Sequence, residues 1–342
     1  MNSETTKLLV ICGPTATGKT ALALHLSKVF SSKGRPSSGW DGEVLSADSR
    51  QVYKMMDIGT GKDLPKNVRY KMSDIRYKNK PIGYYILSGV KIWGHDLVDP
   101  KEEFSVSHFV TIANNISQAI SDRGKLPILV GGTGLYIKGV VDGIPTINIP
   151  RNIKLRKELE KKEASELYDM VIKINPVKAE SMTNSDRKNP RRLIRALEIG
   201  QFNNENKHTS TSQIIDEKKE VLFIGLTAPM DYLSTKIDTR VKERIKQGFN
   251  KEVESLLAGG VNWKDQSMQA LGYRHWQDYL SGKKTLDEVI RQWIKDEKNY
   301  AKRQFVWFKK DKRIQWFDVS EKSWEKDVEK IVGKWYSSRK RL

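Results

Sequence analysis

Residues 7–30 read KLLVICGPTATGKTALALHLSKVF. The run at 7–12 is a short apolar stretch of strand length, and from Ala21 onward the apolar side chains recur at helical spacing. Between them Gly13, Pro14, Thr15, Ala16, Thr17, Gly18, Lys19 and Thr20 satisfy the pattern G-x-x-x-x-G-K-[ST], directly after a strand and directly before a helix. In that setting successive backbone N–H groups turn inward around phosphate oxygens and the helix N-terminus adds a favourable dipole. Lys19 supplies a point charge, and the Thr20 hydroxyl can ligate Mg²⁺. The bland alternative is a glycine-rich turn that only joins strand to helix. The loop implies a polyphosphate without specifying ATP.

Working outward, 31–42 is a polar Gly/Pro/Ser loop, and EVLSA at 43–47 is a second strand that delivers DSRQVY at its carboxyl end. Residues 61–80 are basic and weakly patterned, 84–92 read as an extra strand or hairpin arm, and 105–121 as a helix. KLPILVGG at 125–132 is another parallel-type strand, followed by a helix start in TGLYIKGVV. This alternation predicts an α/β fold, a P-loop NTPase-like parallel sheet flanked by helices, with chemistry at the strands' carboxyl edge. From 145 to about 212 the pattern is helical and charged and closes on the polar run NNENKHTSTS; VLFIGLTA at 221–228 then returns to strand character. We therefore expect a P-loop α/β core over 1–144, an inserted all-helical domain over 145–215, and a return to the core over 216–342 with a helical C-terminal region. Its helices are read at 231–247, 250–258, 266–280, 285–310 and 322–335.

The chain of 342 residues suits two domains at roughly 150 residues each. Its 61 Lys+Arg against 42 Asp+Glu give a net charge of +19, consistent with a polyanionic partner or with a solubilising surface. With 38% hydrophobic residues a core is affordable and disorder is not expected. No apolar run approaches the roughly 20 residues that cross a bilayer, and the start is too short for a signal peptide, so a cytoplasmic protein is expected. One cysteine, Cys12, excludes an intrachain disulfide, and five scattered histidines offer no zinc cluster.

Two further residues are candidates for chemistry. Asp48 follows the second strand, where it can serve Mg²⁺ chemistry or cap a turn. Thr133, in GGTGLY at 131–136, can reach the same crevice or cap the next helix.

At the level of whole blocks, the sequence resembles the tRNA dimethylallyltransferase (tRNA isopentenyltransferase) family. The blocks are GPTATGKT at 13–20, SADSRQVYKMMDIGTGK at 46–62, HDLVDP with FSVSHF at 95–109, GGTGLY at 131–136 and NPRRLIRALEIG at 189–200. KIDTRVKERIKQGFNKEV at 236–253, MQALGYRHW at 268–276 and YAKRQFVWFK at 300–309 complete the set. The resemblance implies transfer of a dimethylallyl group from dimethylallyl diphosphate to N6 of a flipped-out adenine 37 in the tRNA anticodon stem-loop, with Mg²⁺ as cofactor. It implies that the loop from Gly13 to Thr20, with Lys236 and Arg240, holds the diphosphate. Asp48 would act as base and Thr133 would bond near the bridging oxygen. Contact with tRNA is implied for Asp48, Ser49, Arg50, Gln51, Thr133, Lys154, Arg156, and for Arg191, Arg192, Leu193, Ile194 and Arg195. Read from charge alone, the arginine cluster also fits a solvated face paired with Asp186 or Glu198. The aromatics Tyr300, Phe305, Trp307 and Phe308 fit helix core better than base stacking. One RNA per chain needs no dimer, so a monomer is expected.

Departures from the family pattern are His95-Asp96 in place of paired histidines, Pro229-Met230-Asp231 where an arginine is common, and Arg191 where glutamine is common. The segment 61–94 is longer than in compact bacterial members. A small-molecule P-loop kinase, or an isopentenyltransferase acting on free adenine nucleotides, remains the alternative. The basic helical insertion and the blocks at 268–310 have no place in the kinase, and free nucleotides would not need an RNA-gripping insertion.

Overall fold

The computed structural model describes residues 6–29, 41–205 and 219–338. Most of the loop read at 31–42, and the polar run beyond Glu205, lie outside them. The chain divides into two compact units, Met1–Asp142 with Asp216–Leu342, and Gly143–Ile215.

The first unit opens with β1 (Lys7–Cys12), α1 (Lys19–Val29), β2 (Gly42–Ser46), β3 (Arg69–Tyr77), β4 (Lys80–Leu87), β5 (Val90–Trp93), α2 (Val106–Asp122), β6 (Leu126–Gly131) and α3 (Gly134–Val141). β1, β2 and β6 are buried along their whole length, as strands covered on both faces must be. α2 starts at a capping box in which the Ser105 hydroxyl accepts from the His108 amide and the His108 ring accepts from the Ser105 amide.

The second unit holds α4 (Ile153–Leu159), α5 (Ala164–Ile174), α6 (Pro176–Glu180), α7 (Asn184–Arg187) and α8 (Pro190–Glu205). Its own core gathers Leu159, Leu167, Val171, Ala179, Met182, Leu193, Ile194, Ala196 and Leu197. Glu198 is buried beside that core. Burial opposes its ionisation, yet hydrogen bonds from Arg156, the Asn152 amide and Arg195 hold it below the usual carboxylate range.

The chain then re-enters the first unit through β7 (Glu220–Thr227), α9 (Met230–Lys246), α10 (Phe249–Ala258), a 3-10 turn at Ser267–Gln269, α11 (Leu271–Leu280), α12 (Leu286–Phe308), β8 (Ile314–Asp318) and α13 (Trp324–Ser337). α12 is started by a Thr285/Glu288 capping box and buries Val289, Trp293, Ala301, Gln304 and Phe308 along one stripe.

The eight strands form one sheet in the order β3-β4-β5-β2-β6-β1-β7-β8. The six strands from β5 to β8 pair in parallel, whereas β4 is antiparallel to β5 and β3 to β4. Two strands fall where sequence patterning gave none. β3 is exposed through its first half and alternates only from Ser73 to Tyr77, the register shifting between Met72 and Arg76, and β8 lies in the short stretch between two helices.

Candidate active site at the carboxyl edge of the sheet

Strand register determines which loops meet. Cys12, the last residue of β1, pairs with Gly131 at the end of β6 and with Gly225 in β7, while Ser46 at the end of β2 pairs with Val130. The loops beginning at Gly13, Ala47 and Gly132 therefore leave the sheet side by side, at the crevice where connections diverge to either side of β1. Two backbone bonds tie them: the Ala47 amide donates to the Val130 carbonyl at 2.7 Å and the Thr133 amide to the Ala47 carbonyl at 3.3 Å.

The first of these loops runs beneath β7. Gly13 has φ +135°, and a Cβ there would sit 2.2 Å from the Leu226 carbonyl oxygen, so only glycine allows this exit. Ala16 and Gly18 adopt positive φ, which gives the loop its concave backbone. Within it, the Thr17 hydroxyl and the Lys19 ammonium both donate to the Pro14 carbonyl, at 2.9 and 2.5 Å. Burial and the nearby Arg240 guanidinium lower the Lys19 pKa to about 8. Cys12 beneath the loop is fully buried, and burial pushes its thiol up to about 12.

Gln304 on α12 joins two of the loops. Its Oε1 accepts from the Thr15 amide at 2.8 Å and its Nε2 donates to the Gly132 carbonyl at 3.0 Å.

From α9, Arg240 donates through Nη1 to the Thr15 hydroxyl at 3.2 Å, and through Nη2 to the Gly61 carbonyl at 3.1 Å and Asp63 at 2.5 Å. Lys236 lies one turn earlier. One turn later, Arg244 is buried, stacks over Trp293 and donates to Glu297 at 3.1 Å. These groups, with Lys19, Thr20, Asp48 and Tyr300, line one cavity of about 760 Å³.

Asp48 serves as both turn residue and cavity wall. Its Oδ1 accepts the Arg50 amide at 2.8 Å and the Gln51 amide at 3.4 Å; among the described residues Oδ2 has no hydrogen-bond partner. Thr133, expected in the crevice, is not among the residues that line it, although Gly131 and Gly132 just before it are. Its Oγ1 accepts the Ser49 amide at 3.1 Å and donates to the Ser49 hydroxyl at 3.5 Å. Burial and then the Asp48 charge raise the Tyr300 pKa, so the phenol stays protonated near neutrality. Gln51 has both amide ends engaged: Oε1 accepts from Ser46 and from His95 Nε2, and Nε2 donates to the Gly61 carbonyl at 2.9 Å. Arg50 reaches the Gln266 carbonyl at 2.8 Å.

In the second unit, Lys154 and Arg191 are exposed, Arg192 pairs with Asp186, and Leu193 and Ile194 are buried in the core. Arg195 is held by Glu198 and by the Thr146 and Ile149 carbonyls, and Arg156 is bidentate on Glu198. Pairing with acids thus accounts for Arg156, Arg192 and Arg195, and leaves Arg191 and Lys154 as the cations of these blocks without an ion pair among the described residues.

Comparison with known proteins follows the same blocks. The sequence profile of the IPP transferase family matches residues 51–311. The chain is 36% identical over 332 residues to a tRNA dimethylallyltransferase of Carboxydothermus hydrogenoformans, covering 95% of this chain and 96% of that protein. This chain belongs to the IPP transferase family. Among solved structures, it is similar to a full-length tRNA isopentenylpyrophosphate transferase from Bacillus halodurans, at 32% identity and TM-score 0.64 over 97% and 96% of the two chains. A eukaryotic dimethylallyltransferase described as acting on tRNA shares the fold at 24% identity, TM-score 0.74, over 98% and 81%.

Gln304 and Arg244 line the cavity although patterning did not single them out; Tyr300, expected in a helix core, lines it too, as does His95. For Gln304 a signal existed: it is a polar residue on the otherwise apolar stripe of α12.

Proposed function

We propose that this protein transfers the dimethylallyl group of dimethylallyl diphosphate to N6 of adenine 37 in tRNA and releases diphosphate. The observation that carries this reading is the Asp48 carboxylate, with Oδ2 unengaged among the described residues, in the same cavity as a phosphate-cradling loop and three cations from α9. A kinase can use the same cradle and a carboxylate beside it; prenyl transfer is favoured by the family match over residues 51–311 and by the tRNA dimethylallyltransferase to which 95% of this chain is 36% identical.

In this reading the loop N–H groups, Lys19, Lys236 and Arg240 meet the charge that develops on diphosphate as the allylic C–O bond breaks. The Lys19 ammonium leaves the Pro14 carbonyl to do so. Asp48 orients the exocyclic amine and takes its proton through Oδ2, while Oδ1 stays fixed by the Arg50 amide. Thr133, whose hydroxyl accepts from the Ser49 amide and donates weakly to the Ser49 hydroxyl, would turn that proton toward the bridging oxygen when the diphosphate is bound. Among the described residues no cluster of His, Cys, Asp and Glu holds a metal by itself. The Thr20 hydroxyl would hold a Mg²⁺ completed by diphosphate oxygens and water, which leaves Asp48 to the amine. Such an ion would neutralise leaving-group charge. Exposed Arg191 and Lys154 are assigned to RNA phosphates, which set position while the extruded base sets specificity.

The test is incubation of the purified protein with dimethylallyl diphosphate, Mg²⁺ and an anticodon stem-loop whose target adenine is flanked by adenines, followed by nucleoside analysis. The expected product is N6-dimethylallyladenosine at that position. Phosphoryl transfer from ATP with no prenylated nucleoside would overturn the reading in favour of a kinase.

A further inference from the structure

The segment that carried no role in the sequence forms the β3-β4 hairpin, and its charge is one-sided. Residues 64–80 hold six Lys/Arg and one acid, Asp74. β3 is the outermost strand of the sheet, and Arg69, Lys71, Arg76, Lys78 and Lys66 are all exposed. Tyr70 lies across Gly83 and against the Tyr85 ring at 4.8 Å. Arg69 and Lys71, which alternate with it, leave the strand on the opposite face. Lys66, Arg69 and Lys71 have no ion pair among the described residues.

Register places this charge relative to the cavity. Tyr85 pairs with Ile92, and β5 runs parallel to β2 with Trp93 opposite Leu45. Residues of β4 before Tyr84 therefore extend past the carboxyl edge of the parallel strands. The tip at Lys78-Asn79 stands roughly 15 Å beyond that edge, at about 3.3 Å per residue. The base is fastened beside the site: the Tyr85 hydroxyl donates to Asp96, whose other oxygen meets the buried Lys62, and Lys62 also bonds Asp57 at 2.6 Å and the Tyr53 carbonyl at 2.8 Å. Asp63, Leu64 and Leu87 at the two ends of the hairpin line the cavity itself.

We infer that the hairpin is an RNA-binding arm: its exposed cations meet the phosphate backbone of the RNA whose base enters the cavity. This rests on the reading of the site as RNA-modifying. Lysines on an edge strand ordinarily prevent edge-to-edge pairing. The opposite edge of the same sheet, β8 with sequence IQWFD, carries no cation, so cationic edge protection is not a habit of this fold. Arg69 and Lys71 lie level with the sheet edge on one face, and beyond a bulge Arg76, opposite Pro81, lies on the other; cations on both faces of an arm that reaches past the carboxyl edge are placed to extend an RNA contact.

The experiment uses the full chain with Arg69→Gln, Lys71→Gln, Arg76→Gln and Lys78→Gln combined; all four side chains are exposed, and circular dichroism checks the fold. Affinity for a labelled anticodon stem-loop is measured across a salt series. We expect affinity to drop at least about tenfold near 0.1 M salt, with the slope of log K against log salt shallower by about two to three. The KM for dimethylallyl diphosphate and kcat at saturating RNA are expected to stay unchanged. Unchanged RNA affinity and slope in the variant overturn the arm, as does a loss explained by self-association in sedimentation. Equal arm-dependent affinity for polyglutamate also overturns it, in favour of an acidic protein partner. Arm-dependent RNA binding without any prenylation would sink the enzymatic reading and leave the arm standing; prenylation with wild-type RNA KM in the variant does the reverse.

Discussion

Replacing Gln304 by Met tests how the two glycine-bearing loops are held together. The side chains are similar in size, so the substitution leaves packing largely intact and removes one acceptor and one donor. Gln304 is 5% exposed, and its amide bonds the Thr15 N–H at 2.8 Å and the Gly132 carbonyl at 3.0 Å. A buried backbone group left without a partner costs about 1–3 kcal/mol. The Gly132 carbonyl bears more of that penalty, because its bond to Gln304 is buried while that of the Thr15 amide is only partly so. Thr15 lines the cavity, so water can satisfy its amide in part. The sum is about 2–4 kcal/mol, read as a lower urea midpoint with unchanged slope and as faster hydrogen exchange at the Thr15 amide. The companion Gln304→Glu keeps the acceptor but turns a carboxylate oxygen toward the Gly132 carbonyl. Its folded-state pKa is then raised, so this variant gains stability as pH falls and loses it as pH rises through that pKa. A Met variant within about 0.5 kcal/mol of wild type, with Thr15 still protected, would refute the reasoning.

Asp48→Asn retains an Oδ1 for the Arg50 amide and so preserves the turn; turnover is expected to fall by about 10²–10⁴ with RNA affinity kept, and an unchanged rate would reduce Asp48 to a turn residue. Affinity for dimethylallyl diphosphate is expected to be flat below pH 8. Lys19 titrates at about 8 in the free protein and an anion raises that value. Binding above pH 8 therefore takes up a proton, and affinity weakens about tenfold per pH unit. Calorimetry that finds constant affinity to pH 9.5 would contradict this, and Lys19→Arg should abolish the break.

Much of the architecture was legible because burial on both faces leaves an unmistakable apolar run, as in KLLVIC and KLPILVGG, and because glycine at 13, forced by the approach of Leu226, punctuates it. β3 was illegible for a different reason: its first half is exposed and a bulge between Met72 and Arg76 breaks the alternation that its second half keeps. In the site, Lys19, Thr20 and Asp48 could be read locally, since each acts beside its own strand end. Tyr300 and Gln304 could not, because they arrive from α12, far along the chain, among residues that otherwise build a core stripe. Nor could spacing tell Arg191 from Arg195. Both sit on one helix, and only the buried Glu198, with the Thr146 and Ile149 carbonyls, separates a structural guanidinium from an exposed one.

Cys12 has a practical consequence. It is the chain's one cysteine, and its thiol is both shielded and held protonated, so it is silent toward alkylating reagents at neutral pH. The natural protein is therefore already a blank background for labelling. A cysteine introduced at Asn79 would be the sole reactive thiol, and a single dye attached there could report on whatever approaches the hairpin tip without any prior mutation to clear the rest of the chain.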